Sequence, residues 1–303
     1  MCEGGKCGCM GKGRIVDAIK KGRVLVSDGA WGTFLQKKGL KPGECPELWC
    51  VTRPNDVLDV AKAYIDAGAD MIETDSFGGT SYKLEHYGLA DRVAEINEAA
   101  AKISRQAAGD KKWVIASVGP TGKMTAMGDV TEQDLYNAFK EQLIALEKGG
   151  ADAACIETMS AIDEAVAAIK AARENTGLEV IATFTFERNT KGENRTMMGV
   201  SPADAAKACV QAGANIIGAN CGNGIDRMID IVIEMRKVAP TTPILVHANA
   251  GLPQNVDGVD VFPDTPEKMG QMVGDLVKAG ANVVGGCCGT SPAHIKAMKI
   301  ALS

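Results

Sequence analysis

Short apolar runs recur along the chain, and each run is bounded by glycine, proline or polar residues. Runs of this length with such boundaries are typical of buried strands. The pattern predicts eight strands, at residues 24–27, 71–74, 113–118, 153–158, 179–184, 216–219, 244–247 and 283–284.

A short pattern, Ala-Gly-Ala-Asp or a close variant, precedes four of these strands. Glycine readily takes the left-handed conformation that ends a helix, so each copy predicts a helix end that leads into a strand. Apolar residues at helical spacing predict helices at residues 161–173 and 224–238. Asn55 marks the start of another predicted helix, and residues 131–134 resemble a capping box. The glycines of the four copies are Gly68, Gly150, Gly213 and Gly280.

The alternation of strands and helices predicts a parallel sheet. Eight such units predict an α/β fold, a single (β/α)8 TIM barrel, with its chemistry at the C-terminal ends of the strands. A doubly wound open sheet is the alternative, and it is less favoured because no Gly-x-Gly-x-x-Gly follows the first strand. Residues 1–13 are predicted to be a flexible Cys- and Gly-rich tail, and residues 14–303 the barrel domain. Metal binding by Cys2, Cys7 and Cys9 is less favoured than a tail with exposed thiols, because no fourth ligand lies nearby.

The 303-residue chain has a net charge of −5 and no basic block, which argues against a nucleic-acid partner. No apolar run approaches the ~18 residues of a membrane helix, and no export signal is evident at the N-terminus. The protein is therefore predicted to be cytoplasmic, with no membrane partner. Its ten cysteines are expected to be reduced thiols in that compartment.

Cys287 and Cys288 follow the eighth strand and lie between glycines. Neighbouring strand residues point to opposite faces, so two adjacent thiols can share a target only where glycine allows unusual backbone angles. Cys221 follows the sixth strand and offers a third thiolate. Three thiolates leave one position open on a tetrahedral zinc, as in catalytic sites. The alternatives are inert buried cysteines, and a disulfide or redox pair formed by Cys287 and Cys288.

Polar residues that follow other strands would converge on the same barrel mouth. The loop at residues 28–33 contains Asp28 and Gly29, and its backbone N–H groups could hold a carboxylate, unless it is an ordinary turn. Glu157 could bind an ammonium group, a solvated acid being the alternative. His247 is a candidate zinc ligand, although a role beside the metal or in packing is favoured. Together these groups suit a small zwitterion whose thiol takes the open zinc position.

The remaining cysteines and histidines show no ligand spacing. Cys155 falls in a strand pattern and Cys209 in a helix pattern, so both are predicted to be core residues. No role is predicted for Cys45, Cys50, His86 and His294.

Seven segments together resemble the homocysteine S-methyltransferase family, and most closely the homocysteine-binding module of cobalamin-dependent methionine synthase. The likeness runs from about residue 15 to residue 301. The segments are residues 28–33, 67–77, 117–121, 156–158, 220–221, 249–253 and 285–290.

The resemblance implies a (β/α)8 barrel that holds zinc on three cysteines, at the positions of Cys221, Cys287 and Cys288. It implies that homocysteine is bound by residues that match Asp28, Gly29 and Glu157. Asn249 matches a position that can take the fourth zinc site when substrate is absent. The chain departs from the family at Asp75, where many relatives have Asn. The folate- and cobalamin-binding modules of methionine synthase have no counterpart in this sequence.

The resemblance leaves three classes of methyl donor open. Betaine needs an aromatic cage, and relatives that use betaine have aromatic residues where this chain has Gly78 and Thr158. Trp31 and Trp49 could still lie nearby. S-methylmethionine, a smaller sulfonium, is harder to exclude.

The predicted function is a zinc-dependent methyltransferase that transfers a methyl group from a methylated corrinoid to the thiolate of homocysteine and forms methionine. The corrinoid is expected to be carried by a separate protein. The alternatives are an S-methylmethionine- or betaine-dependent homocysteine S-methyltransferase, a non-catalytic zinc- or corrinoid-partner module, and a redox protein.

Overall fold

The computed structural model describes residues 12–256 and 259–303. Cys2, Cys7 and Cys9, and with them most of the predicted flexible tail, lie outside these residues. The described strands are β1 (Leu25–Val26), β2 (Met71–Glu73), β3 (Trp113–Val118), β4 (Ala153–Met159), β5 (Glu179–Phe184), β6 (Glu187–Arg188), β7 (Asn194–Arg195), β8 (Ile216–Asn220), β9 (Ile244–Ala248), β10 (Gln254–Val256), β11 (Val259–Val261) and β12 (Val283–Gly286).

The α-helices of the described ranges flank these strands in sequence. They are α1 (Ile15–Lys20), α2 (Gly32–Lys37), α3 (Trp49–Thr52), α4 (Pro54–Asp66), α5 (Ser81–Glu85), α6 (Val93–Ala108), α7 (Glu132–Lys148), α8 (Ile162–Asn175), α9 (Pro202–Ala212), α10 (Ile225–Val238), α11 (Pro266–Ala279) and α12 (Pro292–Ala301). None of them combines the length and the apolar character needed to cross a bilayer.

Eight of the strands form one parallel sheet in the order β1-β12-β9-β8-β5-β4-β3-β2. The eight predicted strands are the eight strands of this sheet, with small differences at their ends. The sheet curves into an α/β barrel of the TIM type, so the single-barrel prediction is confirmed and the doubly wound alternative is wrong. Two antiparallel hairpins, β6–β7 and β10–β11, are additions that the apolar pattern did not indicate.

The sheet closes between β1 and β2 through Asp70, the residue before β2. The Asp70 backbone N–H donates to the Val26 carbonyl oxygen at 2.6 Å, and the Val26 N–H donates to the Asp70 carboxylate at 3.0 Å. The same carboxylate forms an ion pair with Lys299 of α12 at 2.7 Å. A side chain therefore supplies a hydrogen bond that a backbone carbonyl would supply elsewhere in the barrel.

Helix α1 covers the N-terminal end of the barrel. Ile15 and Ile19 are buried in a cluster with side chains from the strands. Glu179 of β5 accepts hydrogen bonds from the backbone N–H groups of Ile15 at 2.5 Å and Val16 at 3.2 Å, which satisfies donors that the first turn of a helix leaves free. The strand side chains in this cluster include Leu25, Met71, Trp113 and Ile181.

The capping residues and helix-ending glycines agree with the sequence-based predictions, with one correction. All four glycines of the repeated pattern have positive φ, between 100° and 122°, as a left-handed helix end requires. Thr131 forms the predicted capping box with Asp134 at the start of α7. Asn55 does not begin α4, because the helix starts at Pro54 and Arg53 precedes it without a side-chain cap. Proline is well suited to the first helical position, where its missing N–H is not needed.

Candidate active site and metal centre

The three predicted zinc ligands come together at the C-terminal end of the barrel. The Sγ atoms of Cys221, Cys287 and Cys288 all lie within 4.8 Å of one another. The sulfur of Cys288 is 3.8 Å from that of Cys221 and 4.0 Å from that of Cys287. Two sulfurs bound ~2.3 Å from a tetrahedral zinc ion are about 3.8 Å apart, so the spacing suits a single metal ion.

The backbone explains how adjacent cysteines can share one target. Cys287 donates its N–H to Ala248 of β9 at 2.8 Å, and the Cys288 carbonyl accepts from Ala250 at 3.0 Å. The chain turns out of the strand at this point, because Gly289 has φ of 79° and a Cβ there would meet Phe262 at 2.2 Å. Of the glycines beside the cysteine pair, Gly289 has the unusual backbone angle that the sequence-based argument invoked, whereas Gly285 and Gly286 do not.

Cys221 lies at the end of β8 and has φ of 58°. This left-handed conformation is uncommon for a residue other than glycine, and such strain is concentrated at functional sites. The Cys221 N–H donates to the His247 carbonyl at 3.0 Å, which holds the strained residue against β9. Hydrogen bonds from the other two thiols lower the pKa of Cys221, while the same contacts raise the pKa values of Cys287 and Cys288. The three thiols are therefore close enough to share hydrogen bonds, and the cluster favours the thiolate form at Cys221.

Asn249 is buried beside the sulfurs. Its side chain contributes a hydrogen bond that lowers the pKa of Cys221, and its Oδ1 atom has no hydrogen-bond partner in the described chain. Buried oxygen atoms are almost always paired, so this oxygen is available to a group that enters the site. Three thiols and one free amide oxygen form a donor set that fits a tetrahedral metal ion.

A cavity of about 390 Å³ opens beside the three sulfurs. It is lined from the C-terminal ends of the barrel strands and the loops that follow them, which is where barrel enzymes place their chemistry. The lining includes three carboxylic acids that matter below, Glu73, Asp75 and Glu157, and the aromatic side chains of Trp31 and Phe77.

Glu157 presents its carboxyl group to this cavity from β4. The carboxyl accepts a short hydrogen bond from the Ser117 hydroxyl and lies 3.4 Å from the amide nitrogen of Asn220. The next residue, Thr158, has φ of 60° and donates its N–H to Asn220 Oδ1 at 2.8 Å. Burial, and then the nearby charge of Glu73, raise the pKa of Glu157 well above its ordinary value. Glu157 lines the cavity, and its role in binding an ammonium group stays a prediction. Ser117 and Asn220 were not identified from the sequence as its partners.

Asp28 and Gly29 lie at the start of the loop after β1. Gly29 lines the cavity, and a Cβ there would meet the Thr290 hydroxyl at 2.6 Å, so no larger residue fits. Asp28 is fully buried and lies outside the cavity lining. The two predicted residues of this loop are therefore adjacent to the site, but only Gly29 faces the cavity.

His247 and Glu73 also line the cavity, on neighbouring sides of the Asp28 carboxyl group. The Nδ1 atom of His247 is 3.4 Å from Glu73 Oε1, without the geometry of a hydrogen bond. His247 is 2% exposed and burial lowers its pKa, so it is neutral. It is not part of the sulfur cluster among the described residues, and its role beside the metal or in packing stays a prediction.

A second group of thiols and acids lies behind another wall of the cavity and was missed from the sequence. The Cys45 thiol donates to Glu47 at 3.2 Å, and the Cys50 thiol donates to the Asp75 carbonyl at 3.4 Å. Glu47 also accepts the Gly78 N–H at 2.6 Å. The spacing of Cys45 and Cys50 gave no signal, because Asp75, the partner of Cys50, lies 25 residues further along the chain.

The other cysteines and histidines have ordinary surroundings. Cys155 and Cys209 are buried, as predicted. His294 caps α12 with Ser291 and contacts the Asp264 carbonyl at 2.9 Å. His86 is exposed at the end of α5.

Comparison with known proteins gives a consistent result. The model of the homocysteine S-methyltransferase family matches residues 25–302. Methionine synthase of Mycobacterium leprae (strain TN) is 31% identical over 296 residues, which cover 93% of this chain and 24% of that protein. Methionine synthase of Mycobacterium tuberculosis (strain ATCC 25618 / H37Rv) is 32% identical over 309 residues, which cover 95% and 25%. This chain therefore spans about a quarter of the length of either relative.

Solved structures show the same fold. The homocysteine methyltransferase MmuM from Escherichia coli, in its metallated form, superposes with a TM-score of 0.77 at 21% identity and covers 94% of this chain and 98% of that one. Its apo form gives a TM-score of 0.72. With the match to the family model over nearly all of the barrel, the sulfur cluster and the acid-lined cavity belong to a member of the homocysteine S-methyltransferase family.

Proposed function

We propose that this chain transfers a methyl group to the thiolate of homocysteine and forms methionine, with zinc as its cofactor. The observation that carries the proposal is the convergence of three cysteine sulfurs beside a cavity whose wall contains a buried carboxyl group. Homocysteine has a thiol, an ammonium group and a carboxylate, and the site offers a matching group for each.

In this proposal Cys221, Cys287 and Cys288 hold the zinc ion, with Asn249 Oδ1 close enough to fill the remaining position until substrate arrives. When bound, the zinc ion would keep the substrate sulfur as a thiolate at neutral pH. Glu157 accepts hydrogen bonds from the substrate ammonium group. The loop that begins at Gly29 meets the substrate carboxylate with backbone N–H groups.

In the methyl-transfer step, the main task of the protein residues is to position homocysteine. The substrate sulfur attacks the methyl carbon of the donor, a carbon–sulfur bond forms, and the old bond from the methyl carbon breaks. The electron pair of that bond leaves with the donor. The barrel contributes by holding the amino-acid end of homocysteine, so that its sulfur has one orientation towards the mouth of the cavity. Such orientation can supply much of the rate enhancement of a bimolecular reaction.

For the donor we propose a methylated corrinoid that is carried by a separate protein. The two methionine synthases that resemble this chain are about four times as long, and the chain matches about a quarter of each. A corrinoid carrier would have to approach the open end of the barrel, where Phe77 lies 40% exposed at the cavity rim.

Betaine remains the less favoured donor. Trp31 and Phe77 line the cavity, but Trp49 is 5% exposed and lies under the Arg53 guanidinium, 3.6 Å from its ring centre. Gly78 and Thr158 add no aromatic face. Two aromatic side chains are fewer than a cage for a quaternary ammonium group needs.

The test is a comparison of methyl donors with zinc-loaded protein and homocysteine. We expect methionine to form from methylcobalamin or a methylated corrinoid protein, with slower or no reaction from S-methylmethionine and betaine. Rapid methylation from either onium donor, together with none from the corrinoids, would contradict the proposed donor but would leave homocysteine as the acceptor. No methionine from any donor would support a module without turnover of its own.

Glu157→Gln is expected to weaken homocysteine binding by about 10- to 100-fold, because a charged hydrogen bond in a buried site is worth ~1.5–3 kcal/mol. Zinc content should not change, because Glu157 is not among the three clustered sulfur ligands. Calorimetric titration with homocysteine and metal analysis measure the two effects. Glu187→Gln, at an exposed position of β6, serves as the control. An unchanged homocysteine affinity in Glu157→Gln would refute the assignment.

The same residue predicts a pH dependence. The pKa of Glu157 is raised by burial, and only the carboxylate form binds an ammonium ion well. Homocysteine affinity should therefore fall as the pH falls through this raised pKa, at a higher pH than for an exposed glutamate. 4-Sulfanylbutanoate has the same thiol and carboxylate but no amine, so its affinity should lack this component of the pH dependence.

A further inference from the structure

The Asp28 carboxylate is held by three hydrogen bonds within the chain. Its Oδ2 atom accepts hydrogen bonds from the Trp31 indole N–H at 2.8 Å and from the Glu73 backbone N–H at 2.9 Å. Its Oδ1 atom accepts from the Ser27 hydroxyl at 3.0 Å. Asp28 is 0% exposed and does not line the cavity. These contacts tie together the loop after β1 and the end of β2.

Glu73, in contrast, faces the cavity with a carboxyl oxygen that has no hydrogen-bond partner in the described chain. Its side chain lines the cavity and the residue is only 7% exposed. Its Oε1 atom lies 3.4 Å from His247 Nδ1 but has no hydrogen-bond partner within residues 12–256 and 259–303, and the carboxyl group otherwise contacts the Cys155 thiol. Leaving a buried acceptor unpaired has a free-energy cost, so such an atom calls for a donor that arrives with a ligand.

The cavity also lacks a positive charge of its own. Among the described residues that line it there is no lysine or arginine. Glu73 and Glu157 are close enough that the charge of one raises the pKa of the other. Two neighbouring carboxyl groups without a lysine or arginine beside them favour a ligand that brings a positive charge.

From these contacts we propose that Glu73 binds the ammonium group of the amino-acid substrate together with Glu157, and that Asp28 positions Glu73 and the adjacent loop without touching the ligand. The proposal rests on the proposed function, since it assigns a partner for one group of the same substrate. An ammonium ion has three N–H donors, and Glu73 Oε1 supplies an unoccupied acceptor for one of them. The ligand class selected by this pair is an α-amino thiol, in preference to a thiol that lacks the amine.

The experiment compares two ligands on zinc-loaded protein by calorimetric titration. Homocysteine and 4-sulfanylbutanoate share the thiol and the carboxylate, and only homocysteine has the amine. We expect Glu73→Gln to weaken homocysteine binding by about 10- to 100-fold and to change the affinity for 4-sulfanylbutanoate by less than about threefold. Glu73→Asp keeps the carboxylate but shortens the side chain by one methylene group. Its homocysteine affinity should therefore lie between those of the wild type and Glu73→Gln.

Asp75→Asn is the matched control, because Asp75 is another buried acid of the same cavity that has no part in the proposal. It should leave the ratio of the two affinities unchanged. An equal loss for both ligands in Glu73→Gln would mean a structural role, and no loss for homocysteine would mean no contact; either result overturns the assignment of Glu73. Wild-type protein that binds neither ligand would instead overturn the proposed function.

Discussion

Serine in place of Cys221, Cys287 or Cys288 is expected to remove both zinc and methyltransferase activity while the barrel stays folded. The three sulfurs lie within 4.8 Å of one another, so the loss of any one leaves two thiolates for a metal that takes four ligands. Residues that only orient a ligand cost 10–100-fold in metal affinity or activity, and loss of a ligand should exceed about 100-fold. Metal analysis, circular dichroism and a methionine assay measure the three outcomes.

Cys209→Ala is the control for these variants. Cys209 is buried on α9, and it is not one of the clustered sulfurs. Its replacement should cost some packing energy but leave zinc content at the wild-type level. If all three serine variants retained a full complement of zinc, the metal centre would be placed elsewhere.

Gly218→Ala is expected to destabilise the fold severely. Gly218 lies in β8 opposite Leu245 of β9, and a Cβ at this position would be 1.8 Å from the Leu245 carbonyl oxygen. A backbone atom cannot rotate away as a side chain can, so the two strands must separate. Overpacking of a core costs 1–3 kcal/mol and occasionally more, and here at least about 3 kcal/mol is expected. Urea unfolding, or the loss of soluble protein, measures the effect.

Gly274→Ala provides the comparison within the same barrel. Gly274 lies inside α11, and a Cβ there would meet no heavy atom within 4 Å. Alanine is the better helix former by ~1 kcal/mol, so this variant should be as stable as the wild type or more stable. A Gly218→Ala protein that unfolds within about 1 kcal/mol of the wild type would contradict the clash argument.

The fold could be predicted from the sequence because its signals are local and repeated. Four glycines end helices just before strands, and all four take the left-handed conformation. Helix α1 carried no comparable signal, because it is six residues long and is stabilised by Glu179, a residue far along the chain. The two hairpins were missed because their strands are mostly polar as well as short, so they form no apolar run.

The convergence of the three cysteines could also be predicted, because it follows from their positions at the ends of parallel strands. Cys221, Cys287 and Cys288 each follow a predicted strand, and the ends of parallel strands meet at one face. The distinction between Asp28 and Glu73 could not be made in this way. Both residues belong to strand ends, and which carboxyl group faces the cavity depends on hydrogen bonds to Trp31 and to the β2 backbone that no sequence pattern records.

The seam between β1 and β2 has a consequence for how the nascent chain folds. Leu25 finds its parallel partner in Val283, and Asp70, on the other side of the seam, pairs with Lys299. The first strand reaches Asp70, its contact on one side, after 44 residues, but its strand partner on the other side, β12, follows all the other strands of the barrel. Closing the loop between Leu25 and Val283 costs roughly 5 kcal/mol of chain entropy beyond a constant. The pairing of β1 with β12 should therefore form late in folding, with that edge of β1 unpaired until then.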